Sequence, residues 1–261
     1  MFFKKDSVSI HYEIFEPPNS SERNENPILF IHGNEEDLTY FDFQYSFFSK
    51  KYTCIGVDCR GRGKSSFGDT PLSISLMSDD IISLLLHIGV SKVDIVGFSD
   101  GANIALDIAF KKPELVDRLI LAGGNLYPSG MNFFDYAETL IYYHIYNFLS
   151  KICRNEKKIK YKRKKELYKL MAKEPNFTFE SLNEIKSPTL VAVGEYDVIK
   201  FSHSKKTAES LPFGTLKIIS GGSHFFPSEM PDSFNKEICN FLKGKAVKKS
   251  KRIKRNFVFH D

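Results

Sequence analysis

One short segment of the sequence has residue types and spacing suited to nucleophilic catalysis, Gly97-Phe98-Ser99-Asp100-Gly101. It directly follows an apolar run over residues 93–96 and opens a helical pattern over residues 100–111. A serine that protrudes in a tight turn between strand and helix needs neighbours without side chains, and glycines two residues before and after it supply that space. The helix N-terminus also presents free N–H groups toward developing negative charge. The segment therefore predicts a nucleophilic Ser99, with an ordinary strand-to-helix turn as the alternative.

Short apolar runs alternate with longer helical patterns, which is typical of a mostly parallel sheet covered by helices. Residues 7–16 alternate in polarity, as an arm of a β-hairpin does. The runs that predict buried strands cover residues 28–31, 53–57, 93–96, 119–122, 190–193 and 216–219. Helical patterns cover residues 77–88, 100–111, 203–211 and 231–242. The predicted fold class is α/β, with a mostly parallel, doubly wound sheet.

The interval 126–186 interrupts this alternation, because it contains no convincing strand and its composition shifts to aromatic and basic residues. Apolar side chains recur at helical spacing over residues 133–148, and a strongly charged second helix is predicted over 160–173. About sixty residues are too many for a simple connection between strands. We therefore predict a helical cap over 126–186, inserted after the sixth strand into a core of residues 1–125 and 187–245. A basic tail is predicted over 246–261.

Two further motifs accompany the segment around Ser99. His32-Gly33-Asn34 follows the first parallel strand, and Asp58-Cys59-Arg60-Gly61-Arg62-Gly63-Lys64-Ser65 follows the next. With these motifs in this order, the chain resembles the α/β-hydrolase fold superfamily, in particular its serine esterases and lipases with a helical cap. The resemblance covers roughly residues 28–124 and 187–242, and the second motif looks like the family's D-x-R-G-x-G-x-S turn. It implies an α/β-hydrolase fold and a catalytic serine, with no metal or organic cofactor.

A serine hydroxyl needs a histidine to take its proton and an acid to orient that histidine. The family supplies them in the order serine, acid, histidine. The resemblance places the acid after the strand that follows the cap, where Asp197 matches, and the histidine after the last strand, where His224 matches. Glu195 stays open as an alternative acid. His32 is expected to hold its own turn, and the other five histidines lie in predicted helices, the opening strand, the cap or the tail.

The tetrahedral intermediate of acyl transfer carries an oxyanion that requires two preorganised donors. In the family these are backbone N–H groups, and the matching ones are those of Asn34 and Asp100, with Glu35 as the alternative to Asn34. Backbone donors leave the side chains at these positions weakly constrained. The acidic run Asn34-Glu35-Glu36-Asp37 would oppose an oxyanion unless its carboxylates face solvent or pair with cap lysines. Alternatively, these carboxylates help to bind a cationic group of the substrate.

Other conspicuous residues have structural interpretations. Asp58 and Arg60 lie in a glycine-rich turn and are expected to be hydrogen-bonded scaffold rather than catalytic groups. The aromatic residues of the predicted cap are expected to form the cap's own core more than an acyl pocket; they are Phe133, Phe134, Tyr142, Tyr143 and Tyr146.

Composition sets broad limits on the function. The chain has 261 residues, a formal net charge of +5 and four cysteines without metal-ligand spacing. It contains no run of roughly eighteen apolar residues and no secretory signal, which favours a cytoplasmic protein without a membrane span. Positive charge is concentrated in residues 151–165 and 243–255. We interpret these as a solvated helix face and a disordered end; contact with nucleic acid or anionic lipid is the alternative, and no nucleic-acid module is recognised.

The function predicted from these residues is hydrolysis of a small-molecule carboxylic ester through an acyl-enzyme intermediate. A thioesterase, lactonase, amidase or carbon–carbon bond hydrolase would use the same residues, so the sequence does not separate these chemistries. A ligand-binding protein of this fold with little turnover is an alternative from a different class. The acyl group, the leaving group and the oligomeric state are left open.

Overall fold

The computed structural model describes residues 1–18 and 26–244. Within them, eight strands form a single sheet in the order β1-β2-β4-β3-β5-β6-β7-β8. The first two strands pair antiparallel to their neighbours and the other six run parallel to one another. The strands are β1 Phe2–Lys5, β2 Val8–Phe15, β3 Ile28–Ile31, β4 Cys54–Val57, β5 Val93–Phe98, β6 Val116–Ala122, β7 Thr189–Tyr196 and β8 Gly214–Ser223.

Helices cover both faces of this sheet, which explains why its central strands are continuous apolar runs. Every residue of β3, β4 and β5 is buried. One core layer packs side chains of α2 and α3 against the sheet, and the other packs those of α1 and α8. The helices of the core are α1 Asp42–Phe48, α2 Ile74–His87, α3 Asp100–Lys111, α6 Phe201–Ser210, α7 Phe226–Glu229 and α8 Pro231–Leu242.

The predicted α/β class with a mostly parallel sheet is confirmed. The strand β1, which pairs with β2 as a hairpin, and the short helices α1 and α7 were not predicted. Helix α1 has only seven residues, too few for a recognisable period. The strands β7 and β8 extend beyond their apolar runs, because parallel pairing continues to Tyr196 opposite Ser223.

Two helices, α4 Phe133–Ile152 and α5 Asn155–Lys173, lie between β6 and β7 and pack against each other; we call them the helical pair. Stacked and tilted tyrosine rings join them, with centroid distances of 5.3 Å for Tyr142 and Tyr168 and 6.1 Å for Tyr146 and Tyr161. The second helix begins five residues before the predicted start. The division into core and cap stays a prediction, and the predicted tail over 246–261 lies outside the described residues.

The apolar positions of α4 do not form a core as expected. Phe133 and Phe134 are 74% and 82% exposed, and Ile141 and Phe148 also face solvent. The expectation that the cap aromatics form its own core is therefore wrong for the two phenylalanines, because the tyrosines occupy the contact between the helices. No helix within the described part of the chain combines the length and apolar character needed to cross a membrane.

Candidate active site

The turn that carries Ser99 joins β5 to α3 and has an unusual backbone. Ser99 has φ of 53° and ψ of −119°, a conformation that residues other than glycine rarely adopt. Its N–H group donates to the carbonyl of Ala122, which ties the turn to β6. A Cβ atom on Gly97 would lie 2.3 Å from the carbonyl oxygen of Gly101, and one on Gly101 would lie 2.0 Å from that of Ile31. Both glycines are therefore required by close backbone packing.

Three loops at the carboxyl ends of parallel strands bring Ser99, Asp197 and His224 together. The His224 Nε2 atom lies 3.1 Å from the Ser99 Oγ atom. The His224 Nδ1 atom lies 2.7 Å from the Asp197 Oδ1 atom. These contacts form a continuous hydrogen-bonded chain from hydroxyl to imidazole to carboxylate, which is the arrangement required to activate a serine.

Backbone donors fix the Asp197 carboxylate. The N–H group of Gly194 donates to Asp197 Oδ2 at 3.1 Å, and that of Ile199 donates to Asp197 Oδ1 at 3.0 Å. Glu195 instead accepts a hydrogen bond from the N–H group of Gly221 at 2.8 Å. The carboxylate that meets His224 is thus that of Asp197, and Glu195 binds a different loop.

The surroundings of His224 favour its protonated form. Burial lowers the pKa of the imidazole, but the charge of Asp197 and its hydrogen bond, with smaller contributions from Glu36 and Asp135, raise the pKa above the ordinary value of 6.5. The ring also packs against Phe98, with centroids 5.0 Å apart. A base of this kind accepts a proton readily and is held in one orientation.

Other buried histidines have structural partners. His32 donates from Nδ1 to the Gly33 carbonyl at 2.7 Å and accepts at Nε2 from the N–H group of Cys59 at 3.0 Å, so it joins two turns. His203 accepts from the N–H group of Leu126 at 3.0 Å. Burial lowers the pKa of both imidazoles to about 4, which keeps them neutral.

The side chain of Asn34 is more constrained than expected. Its Nδ2 atom donates to the carbonyl of Leu167 in α5 at 3.1 Å, and its Oδ1 atom accepts from Arg62 at 3.0 Å and from the N–H group of Glu35 at 2.9 Å. The expectation of weak constraint at Asn34 is therefore wrong, because this amide connects the turn to the helical pair. The N–H group of Glu35, the alternative to that of Asn34 as an oxyanion donor, already donates to the Asn34 side chain.

Asp100 is likewise constrained by its side chain. It is only 6% exposed, and its carboxylate lies 3.6 Å from the Arg62 guanidinium. Burial raises the pKa of Asp100 to about 6, and Arg62 opposes the rise. Arg62 thus contacts both residues whose backbone N–H groups are expected to bind an oxyanion. Sequence reasoning missed this role of Arg62, although its place in the glycine-rich turn was a signal.

The three acids after Asn34 have different surroundings. Glu35 forms an ion pair with Lys164 of α5, as expected for a carboxylate near cap lysines. Asp37 caps a short 3₁₀ turn through the N–H group of Thr39. Glu36 lines the cavity beside Ser99 and accepts from the N–H group of Gly33 at 2.9 Å. Burial raises the pKa of Glu36 to about 7, so it is partly protonated near neutral pH.

The expected scaffold residues make scaffold contacts. Arg60 donates two hydrogen bonds of 2.7 Å to Asp80 of α2. Asp58 accepts from the N–H groups of Leu38 and Lys64 at 2.8 Å each. Both side chains therefore stabilise the turn after β4. Neither takes part in the hydrogen bonds that join Ser99, His224 and Asp197.

The Ser99 hydroxyl and the His224 ring line a cavity of about 270 Å³. The turn after β3 and the start of α3 form its floor, and both members of the helical pair contribute walls, through Tyr142 of α4 and Tyr168 of α5 among others. A cavity of this size holds a small organic molecule. The site is thus completed by the segment between β6 and β7.

Comparisons with known proteins agree with this architecture. The family model described as the α/β hydrolase fold matches residues 26–147. A protein of Caulobacter sp. (strain K31), named provisionally as the carbamate hydrolase RutD, is 26% identical over 238 residues, which is 80% of this chain and 87% of that one.

Two solved structures are similar over nearly the whole chain. MGS-M2, an α/β-hydrolase enzyme from a Medee basin deep-sea metagenome library, has a TM-score of 0.79 at 21% identity, covering 97% of this chain and 100% of that one. A carboxylesterase structure from Nitrososphaera gargenis has a TM-score of 0.75 at 20% identity, covering 93% and 98%. The chain therefore has the α/β-hydrolase fold, an architecture that is used with many different substrates.

Proposed function

We propose that this protein is a serine hydrolase that cleaves a small-molecule carboxylic ester, or a related acyl bond, through an acyl-enzyme intermediate. The observation that carries the proposal is the hydrogen-bonded chain of Ser99, His224 and Asp197 at the wall of a 270 Å³ cavity. The strained turn at Ser99 supports it, because backbone strain of this kind is concentrated at functional sites.

In the proposed reaction, the Ser99 Oγ atom attacks the carbonyl carbon of the substrate while its proton passes to His224 Nε2. The resulting oxyanion is bound by the backbone N–H groups of Asn34 and Asp100. Collapse of this intermediate breaks the bond to the leaving group, which takes the proton from His224. A water molecule then gives its proton to His224 and attacks the acyl carbon, and the acid is released with Ser99 restored.

Asp197 has an orienting role in this scheme. Its two backbone hydrogen bonds fix the carboxylate, which in turn fixes the tautomer that leaves His224 Nε2 free to accept the serine proton. The charge of Asp197 also stabilises the imidazolium formed during attack. No metal or organic cofactor has a part in these steps.

A series of p-nitrophenyl esters of increasing acyl length tests the proposal. We expect hydrolysis with a preference for short to medium acyl chains, because the cavity is small. Ser99→Ala and Asp197→Asn should each lower kcat by on the order of 10⁴-fold. Ser210→Ala removes a serine at the end of α6, outside the cavity, and should leave the rate unchanged.

Absence of ester hydrolysis by the parent enzyme, or equal rates for the parent and Ser99→Ala, would contradict the proposed chemistry. A maximum rate on long acyl chains would contradict only the predicted chain length. Circular dichroism of each variant separates lost activity from lost folding.

A further inference from the structure

The cavity beside Ser99 is strongly acidic, although the chain as a whole carries a net charge of +5. Five carboxylates line it, and no lysine or arginine side chain of the described residues does. Two of the five lie on α4 and the other three come from different segments: Asp135 and Glu138, and then Glu36, Asp100 and Glu174. A pocket of this kind would repel a carboxylate-bearing or phosphorylated substrate.

Two of these acids form no hydrogen bond or ion pair through their carboxylates among the described residues. Asp135 and Glu138 lie one turn apart on α4, and within residues 1–18 and 26–244 neither carboxylate forms a hydrogen bond or an ion pair. By contrast, the Glu174 carboxylate accepts from the N–H group of Ile74 at 2.8 Å. Asp135 and Glu138 therefore present free acceptors on the side of α4 that lines the cavity.

Asp100 supplies an independent observation at the base of the cavity. Its side chain is more than nine-tenths buried, yet its Oδ2 atom accepts no hydrogen bond from the described residues. The Arg62 guanidinium lies 3.6 Å from this atom, within ion-pair distance but beyond hydrogen-bonding distance, and Arg62 is not among the residues that line the cavity. Asp100 is therefore paired with Arg62 by charge but without a hydrogen bond, which leaves a buried carboxylate incompletely compensated at the base of the cavity.

Aromatic rings share the cavity with these carboxylates. Phe98 and Phe225 line it next to His224, and Tyr142 and Tyr168 line it from the helical pair. Ring faces attract organic cations, and an aromatic wall combined with carboxylates is the combination that recognises ammonium groups. Neutral apolar ligands would use the rings but would leave the carboxylates desolvated and unpaired.

We propose that the substrate of this site carries an organic cation, a protonated amine or a quaternary ammonium group, close to its ester-type bond. This inference rests on the proposed hydrolase function and names its substrate class. Burial raises the pKa of Glu36 to about 7 and that of Asp100 to about 6, and a cation beside them would lower both values. Binding of the cation would thus release protons.

A pair of isosteric substrates isolates the effect of charge. Acetylthiocholine and S-(3,3-dimethylbutyl) thioacetate have the same shape, but a quaternary nitrogen in the first replaces a carbon atom in the second. We expect kcat/KM to be about tenfold or more higher for the cationic thioester at low salt. The preference should shrink as salt concentration rises, because salt screens charges at the cavity mouth.

Variants of the cavity carboxylates test whether they cause the preference for the cationic thioester. Asp135→Asn and Glu138→Gln should each lower the ratio of the two kcat/KM values several-fold, mainly through a higher KM for acetylthiocholine. Glu184→Gln makes the same change of charge at an exposed position outside the cavity and should leave the ratio unchanged. Thermal midpoints of all three variants verify folding.

Equal kcat/KM values for the two thioesters would overturn the inference, as would a ratio that survives both cavity variants. If neutral p-nitrophenyl esters are still hydrolysed in a Ser99-dependent manner, the proposed function stands without this substrate class. If no ester or thioester is hydrolysed at all, the proposed function itself fails.

Discussion

The glycines on either side of Ser99 have no room for a methyl group. Gly101→Ala would place Cβ 2.0 Å from the Ile31 carbonyl oxygen, so β3 or α3 must shift. We expect a loss of about 2–4 kcal/mol in the free energy of unfolding, measured by urea denaturation, together with loss of the proposed hydrolase activity.

Gly89→Asn is the matched control for Gly101→Ala. Gly89 follows the C-cap of α2 with φ of 76° and has open space around its Cβ position, and asparagine tolerates that conformation. Gly89→Asn should lower the free energy of unfolding by well under about 1 kcal/mol. Equal losses for the two variants would show that close packing around Gly101 is unimportant.

The charges around His224 set the pH dependence of the proposed reaction. Only the neutral imidazole can accept the serine proton, and the pKa of His224 is raised above 6.5. We expect kcat/KM to rise with pH through an apparent pKa above 6.5. Because Glu36 also titrates, at about 7, the observed value belongs to the coupled groups.

Glu36→Gln tests whether the charge of Glu36 raises the pKa of His224. The amide oxygen can still accept from the Gly33 N–H group, but the negative charge that favours the imidazolium is lost. The rise in kcat/KM should therefore move to lower pH. An unchanged or higher apparent pKa would mean that Glu36 does not influence His224.

At the scale of elements, the turn after β4 is held to α2 by a buried ion pair. Arg60 and Asp80 are both nearly inaccessible and share two hydrogen bonds. Asp80→Ala would leave the guanidinium buried without its main partner, at a cost of about 3–5 kcal/mol. Denaturant unfolding followed by circular dichroism measures this loss.

The neighbouring residue provides the comparison. Asp79 pairs with Lys111, but its side chain is 49% exposed. Asp79→Ala should therefore lower the free energy of unfolding by about 1 kcal/mol or less, because solvent screens an exposed ion pair. A larger loss for Asp79→Ala than for Asp80→Ala would contradict the assignment of Arg60 and Asp80 as scaffold.

The sequence predicts some elements well and others poorly for identifiable reasons. The buried strands of the parallel sheet are continuous apolar runs, so β3 was predicted residue for residue. The roles of Arg62 and Asn34 depend on contacts that join the β4 turn, the β3 turn and α5, which are far apart in sequence. The solvent-facing apolar residues of α4 could not be predicted either, because periodicity identifies a helix face but not its partner.

At the scale of the whole molecule, several carboxyl groups are buried in the parallel-sheet core and beside the cavity. Burial raises the pKa of Asp94 from 3.8 to about 7, and Arg118 opposes the rise. A carboxyl whose folded-state pKa exceeds its unfolded value stabilises the fold below the unfolded pKa, and that contribution is lost as pH rises through the folded value.

Asp94→Asn therefore has a pH-dependent effect. The difference in the free energy of unfolding, variant minus parent, should increase as pH rises from about 4 to about 7, because the parent loses stability over this range. Above it the difference should level off. Urea denaturation at several pH values measures the difference. A difference that is constant or falls with pH would show that Asp94 is charged in the folded protein throughout.

Reaction with a fluorophosphonate probe identifies the nucleophile of the proposed reaction directly. Such probes form a covalent bond with an activated serine, and peptide mass spectrometry locates the adduct. We expect a single adduct on the peptide that contains Ser99, lost in Ser99→Ala and retained in Ser210→Ala. An adduct on another residue, or equal labelling of folded Ser99→Ala, would show that Ser99 is not the nucleophile.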